Sequence, residues 1–252
     1  MAYRLMCMTA HPDDECGAFG GALLLAHAAG VETTVICLTE GQAASNRGDA
    51  SSGEELAQMR RDEFAAAGEI LGVSRGEVLH YPDGKLARHD PTELIGVLVE
   101  RIRQWRPQVV LTFGGEGGVN LHRDHTVVSL AATTAFHWAG RPSAFPEQID
   151  RGMQPYWPQK LYYSATPFLL VQDEVAKANT SRTPYSLTLH LGNHAEKKYE
   201  AFRKHTSQAI LLDKARKAWE ATANLEYYLL VAARGLQEAG ADVAMFQGVI
   251  ED

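Results

Sequence analysis

Two short polar clusters hold most of the side chains that could do chemistry. One is Ala10-His11-Pro12-Asp13-Asp14-Glu15 and the other is His122-Arg123-Asp124-His125. Histidine and carboxylate together make a mixed nitrogen and oxygen donor set that suits zinc. A catalytic zinc takes three protein ligands and leaves one position open, and it brings the pKa of a water held there down to about 7. A carboxylate outside the ligand set can then accept the proton. In consecutive residues such as Asp13 and Asp14 the side chains point in different directions, so one can ligate while its neighbour acts as base. A plainer assignment stays open on these residues alone. Asp13 and Asp14 could cap the helix that follows, and His122 and His125 could cap or solvate theirs.

The elements that must position the clusters favour the first assignment. Apolar, β-branched runs at Arg4–Thr9, Glu32–Thr39, Glu77–Tyr81 and Gln108–Phe113 read as strands. Helical periodicity marks Gly17–Ala29, Gly53–Leu71, Thr92–Trp105 and the stretch around Arg123–Trp138. Such alternation predicts an α/β, Rossmann-like, doubly wound and mostly parallel sheet with helices on both faces. Ligands of such sheets bind beyond the carboxyl ends of the strands, where both clusters fall. After Gly140 the texture changes. Six of the ten prolines lie between Pro142 and Pro184, around a strand at Leu161–Ser164. A strand at Ser186–Leu191, helices near Ala195–His205 and Lys214–Ala232, and a last strand at Val243–Ile250 complete the expectation. Residues 1–252 read as one domain, with 1–140 as the catalytic core and 141–252 as an irregular Pro-rich segment followed by further strands and helices.

Bulk properties bound the function. The chain has 252 residues, 45% hydrophobic and 22% charged, with a net charge of −7. That balance argues against nucleic acid, which demands clustered Lys and Arg. The longest near-apolar stretch, Ala18–Val31, is shorter than the roughly 18–20 residues of a spanning helix. The opening residues lack the pattern of a signal peptide. Three cysteines, Cys7, Cys16 and Cys37, are an odd number without C-x-x-C spacing and read as reduced thiols of a cytoplasmic protein.

Other motifs carry less. Gly72-Val73-Ser74-Arg75-Gly76 matches G-x-S-x-G, but a nucleophile elbow needs a strand before it and a helix after it, the reverse of the order here. Cys16 reads as a packing residue before a thiolate ligand. His27, His80, His137 and His190 read as packing or hydrogen-bonded residues. Tyr156, Trp157, Tyr162 and Tyr163 read as core or interface before sugar-stacking residues.

The paired motifs, A-H-P-D-D-E after the first strand and H-x-D-H after the fourth, resemble those of the PIG-L/LmbE-like metal-dependent deacetylases. Arg60-Arg61-Asp62-Glu63 with Leu71-Gly72-Val73, Tyr81-Pro82-Asp83-Gly84 and His205-Thr206-Ser207-Gln208 extend the resemblance from Met6 to about Gln208. It implies a hydrolase that removes an acyl group, acetyl by default, from the nitrogen of an N-acetylglucosamine-type sugar or conjugate. His11, Asp14 and His125 would bind Zn2+, with Fe2+, Co2+ or Mn2+ as other ions such a site accepts. Asp13 would be the general base. His122 would stabilise the oxyanion or protonate the leaving amine, and Arg60 and Asp83 would meet sugar hydroxyls. Glu15 and Asp124 would orient the ligands. A homo-oligomer fits the resemblance. The chain departs from the family pattern at Asn120, Leu121 and Arg123, where tyrosine, glycine and proline occur in members. Two alternatives remain: an amidase cutting a larger amide of a sugar–thiol conjugate, and a non-catalytic sugar- or nucleotide-binding module.

Overall fold

A computed structural model describes residues 3–165, 174–222 and 224–251. Its centre is one seven-stranded sheet in the order β3-β2-β1-β4-β5-β7-β6. The strands are β1 Arg4–Thr9, β2 Glu32–Thr39, β3 Arg75–Tyr81, β4 Val109–Phe113, β5 Lys160–Ser164, β6 Leu187–His190 and β7 Leu225–Ala233. The first five in that order pair in parallel, and β7 runs antiparallel to both β5 and β6. All five residues of β4, and all of β1 and β2 after their first, are buried. Strands covered on both faces read as unbroken apolar runs, which is why the sequence showed them clearly.

Between the strands run α1 Asp14–Gly17, α2 Gly20–Ala28, α3 Gly53–Leu71, α4 Pro91–Trp105 and α5 Arg123–Trp138. Ser52 caps α3 by accepting the amide of Glu55, and Gly72 ends it at φ 71°. Asp90 and Pro91 start α4. The chain steps one way from β1 to β3 and the other way from β3 through β4 to β5. Right-handed crossovers therefore put α2 and α3 on one face and α4 and α5 on the other. The direction reverses between β1 and β4, and the loops leaving those two strands open a crevice there. α6 Pro146–Asp150, α7 Glu174–Asn179, α8 His194–Phe202 and α9 Ala209–Thr222 complete the helices of the described residues, with α8 packed on α2 and α3.

Four expectations change. The helix expected over Gly17–Ala29 begins three residues later, as α2 at Gly20, and a separate turn of helix, α1, precedes it in the cluster itself. Strand β3 begins two residues early, at Arg75. The helix expected to run to Ala232 stops at Thr222, and Leu225–Ala233 is a strand inside the sheet. Val243–Ile250 is turns and irregular chain, not a strand. Of the Pro-rich segment, residues 166–173 lie outside the described residues. Its first part sits at the end of the sheet away from the clusters. Gln159 leads into β5 by donating its amide to Gln108, which leads into β4. There the Arg103 side chain donates to the carbonyls of Ala139, Arg141, Ala144 and Phe145 and folds the loop around itself. No described helix is long and apolar enough to cross a membrane.

Candidate metal centre

The loop leaving β1 is closed by its own carboxylate. Asp14 Oδ2 accepts the amides of Ala10 and His11 at 3.1 and 2.7 Å. This leaves Oδ1 facing His125 Nε2 at 3.2 Å. His125 stands in the first turn of α5, and its Nδ1 meets the carbonyl of Gly117 at 2.9 Å. A carbonyl only accepts, so Nδ1 carries the proton and Nε2 offers its lone pair. Phe113 stacks flat on the ring, centroids 4.1 Å apart. His11 Nδ1 lies 3.2 Å from His125 Nε2, and 3.6 Å from the amide-bound oxygen Oδ2 of Asp14.

Those spacings fit a metal. Donor atoms ~2.0–2.1 Å from a tetrahedral zinc lie about 3.3–3.4 Å from one another. His11 Nδ1 and His125 Nε2, 3.2 Å apart, share one proton as a hydrogen bond when no ion is bound, and a divalent cation that accepts both lone pairs could take that proton's place. The charge balance points the same way. His11 Nε2 lies 3.0 Å from Asp83 Oδ1 and 3.5 Å from Asp124 Oδ2, outside hydrogen-bond alignment. Burial disfavours charge on His11, yet Asp124, Asp83 and Asp14 push its pKa up to about 10. Burial likewise opposes charge on Asp14, but His125 and His11 hold its carboxyl well below the usual range. This is a buried pocket that demands positive charge. Asp83 and Asp124 serve the far side of His11, being engaged themselves: Ala43 donates to Asp83, and Gly84 and Leu86 donate to Asp124.

Asp13 turns away from its neighbour. Its Oδ2 takes Arg60 Nη2 at 3.1 Å, and the same guanidinium reaches the carbonyls of Pro12 and Gly41. Gly41 has φ 65°, and a Cβ there would strike the guanidinium. Burial raises the Asp13 carboxyl, with Arg60 pulling against it and Asp14 pushing with it, to about 6. His122 is the N-cap of α5, its Nδ1 accepting the amide of Asp124 at 3.2 Å. That fixes the proton of the neutral ring on Nε2. Burial, then His11 and His125, lower the His122 pKa and keep it neutral. Its ring meets that of His11 edge-on, centroids 4.6 Å apart.

The structure thus brings His11, Asp13, Asp14, His122 and His125 to one point. Arg60 and Asp83 stand there too, but at 2% and 7% exposure with their polar atoms turned to protein. Among the departures from the family pattern, Leu121 takes φ 58° where glycine is usual, and Asn120 accepts the amide of His122. Glu15, expected to orient the ligands, instead accepts the amide of Asp13 and pairs with the fully buried His205 at 2.6 Å; the late H-x-S-Q segment pointed to His205 as a residue lining the site or making a structural hydrogen bond, but not to this partner. Cys16 donates to Glu15, and burial and that carboxylate push its pKa up, so it is a thiol aside from the centre. The G-x-S-x-G stretch joins α3 to β3, as its flanks implied. Of the histidines expected to pack or hydrogen-bond, His80 meets Glu40 at 2.9 Å, whereas His27, His137 and His190 are exposed. Tyr156 and Trp157 precede β5 at the opposite edge of the sheet. Tyr162 bonds Asp242 and Tyr163 bonds Thr133.

Comparison with known proteins places the chain in a family. The chain is 34% identical over 179 residues to the mycothiol S-conjugate amidase of Streptomyces coelicolor, a match covering 64% of the chain and 60% of that protein. It is 30% identical over 185 residues to a 1D-myo-inositol 2-acetamido-2-deoxy-alpha-D-glucopyranoside deacetylase of Rhodococcus jostii, covering 65% and 61%. The matches thus span about three fifths of these relatives' lengths. In fold it resembles the N,N'-diacetylchitobiose deacetylase of Pyrococcus horikoshii, at a TM-score of 0.74 and 22% identity over 91% and 84% of the two chains. It also resembles GalB of Pseudomonas putida, a 4-carboxy-2-hydroxymuconate hydratase, at 0.71 and 20% identity over 94% and 99%. The fold alone therefore does not choose the reaction. The profile of the PIG-L family, described as GlcNAc-PI de-N-acetylase, matches residues 6–136, more than half of the chain, and the protein belongs to that family.

Proposed function

We propose that this protein is a zinc-dependent hydrolase that removes an N-acyl group, acetyl by preference, from an N-acetylglucosamine-type sugar or conjugate. The carrying observation is His125 Nε2 lying 3.2 Å from both His11 Nδ1 and the free oxygen Oδ1 of Asp14, with Asp13 next in the chain to Asp14. Those three side chains would hold the ion. When bound, a divalent ion supplies Lewis acidity, polarising a carbonyl and making a water acidic.

The remaining work falls to the chain's own groups. Asp13 takes the proton of the attacking water and passes it to the nitrogen as the C–N bond breaks. His122 presents Nε2–H to the carbonyl oxygen as charge builds there. Arg60 fixes the Asp13 carboxylate, and Asp83 and Asp124 hold His11 in place. We assign Arg60 and Asp83 these positioning roles, since neither offers a free polar face to a sugar. All seven strands share one sheet, which supports one catalytic unit with residues 1–140 supplying the centre. Cys7, Cys16 and Cys37 are free and buried, which suits a reducing cytoplasm.

The likeness to an S-conjugate amidase favours a second reading within the same chemistry, cleavage of a larger amide on a sugar–thiol conjugate. The test is amine release from N-acetylglucosamine, N,N'-diacetylchitobiose and an S-conjugated amino-sugar amide. Each is measured on protein reconstituted with Zn2+, Fe2+, Co2+ or Mn2+. Release from the first two supports the deacetylase, and release from the third alone supports the amidase. No amine from any substrate with any metal sinks both.

A further inference from the structure

Asp13 sits at φ 126°, ψ −25°. The other non-glycine residues with positive φ, Arg106, Leu121 and Phe145, lie at 51–58° in the left-handed well. Asp13 lies outside it, in territory that side chains avoid, and such a backbone persists only where its surroundings over-determine it. Here the surroundings can be named. Cys16 and Gly17 donate their amides to the Asp13 carbonyl at 3.1 and 3.0 Å. The Asp13 amide donates to Glu15 Oε2 at 2.9 Å. Glu15 is fully buried, and its other oxygen meets His205 Nε2 at 2.6 Å and Cys16 Sγ at 3.2 Å. Of these partners only His205 can offset the carboxylate's charge. His205 comes from the segment between α8 and α9, is itself 0% exposed, and has no partner on Nδ1 among the described residues.

We propose that His205 is a positioning residue: acting through Glu15, it fixes the strained Asp13 backbone and so aims the carboxylate that serves as base. This rests on the reading of Asp13 given above. A mere brace between α1 and the α8–α9 segment would change stability and leave the rate per folded, metal-loaded molecule alone. A positioning residue changes kcat while KM and metal content stay, because Asp14, His11 and His125 have their own holds.

The test compares His205→Leu, His205→Asn and His205→Gln with wild type. Gln places an N–H where Nε2 stands and can still donate to Glu15, whereas Asn reaches only the Nδ1 position. We expect kcat for amine release to fall at least about tenfold in Leu and Asn, since small displacements of reacting groups cost up to ~10²-fold. KM should stay within about threefold, near one zinc per chain should remain, and Gln should recover most of the rate. If Leu fails to fold, the Asn and Gln pair carries the comparison. Wild-type kcat in folded, metal-loaded Asn, or equal losses in Asn and Gln, overturns the proposal. Amide hydrogen exchange at Asp13 reads the linkage without turnover. Faster exchange in Asn than in Gln supports it, and unchanged protection overturns it. A wild type that releases no amine sinks the functional reading separately, and the exchange result still decides the positioning.

Discussion

Asp13 and Asp14 are adjacent, and burial pushes both carboxyls up, yet they end on opposite sides of their ordinary value. Asp14 touches His125 and His11 and is driven down, while burial and the neighbouring Asp14 outweigh Arg60 and carry Asp13 up to about 6. One therefore suits a permanent ligand and the other a group that exchanges protons. Asp13→Asn should bind a full equivalent of zinc by elemental analysis and lose ~10²–10⁴-fold in kcat. Loss of the metal instead would place Asp13 among the ligands. Asp83 separates two roles just as sharply. If it holds His11, Asp83→Ala weakens zinc binding ~10–100-fold in a competition titration with a chelator. If it meets substrate, zinc affinity stays and KM rises. The two clusters were legible because each follows an apolar strand and combines residue types that rarely gather by chance. The inward turn of Arg60 and Asp83 was not legible, since the direction of a side chain at a turn depends on partners forty or more residues away, such as Ala43 and Pro12.

At the scale of elements, α2 has no N-cap of its own: Phe19 occupies the position and makes no side-chain bond. Its buried first-turn amides are met by Glu226 of β7, which accepts from Gly21 and Ala22 at 2.7 and 2.9 Å. A negative charge there also opposes the positive end of the helix. Lys198 of α8, at 2.7 Å, and the hydroxyl of Tyr228, at 2.7 Å, complete a buried network. Breaking such a pair strands the other charge, so Glu226→Ala should cost about 3–5 kcal/mol in urea unfolding. Glu226→Ala with Lys198→Met should cost less than the single change. Equal costs would show that Lys198 does not depend on Glu226. The same residue explains why β7 escaped sequence reading. Leu225–Ala233 is rich in Leu and Ala, which favour helix, and its buried positions, Glu226, Tyr228 and Leu230, begin with a charge. Period-two alternation was present, but Glu226 falls on the inward face, where an apolar residue is expected.

For the whole molecule, the centre lies where the sheet reverses direction. The proposed ligands come from two segments that only the fold brings together, His11 and Asp14 after β1 and His125 at the start of α5. The unfolded chain holds His125 more than a hundred residues from the other two, so a metal at this site binds the native state in strong preference and adds its binding energy to folding. At a free zinc concentration 100 times Kd this amounts to about 2.7 kcal/mol. For a chain of this size that corresponds to a rise of roughly 5–10 °C in Tm. Removing zinc with a chelator should lower Tm by this amount, and restoring zinc should return it. His125→Ala removes one ligand and should show the same Tm with and without zinc. A wild type whose Tm ignores the chelator, at zinc levels shown to saturate it, would mean that the unfolded chain binds zinc as tightly as the native one, and would overturn a site that the fold assembles. Without the ion, the carboxylates of Asp14, Asp83 and Asp124 are balanced by a protonated His11, the charge state the metal-free cluster favours. A rise in Tm on lowering the pH of the chelated protein towards neutrality would identify that state.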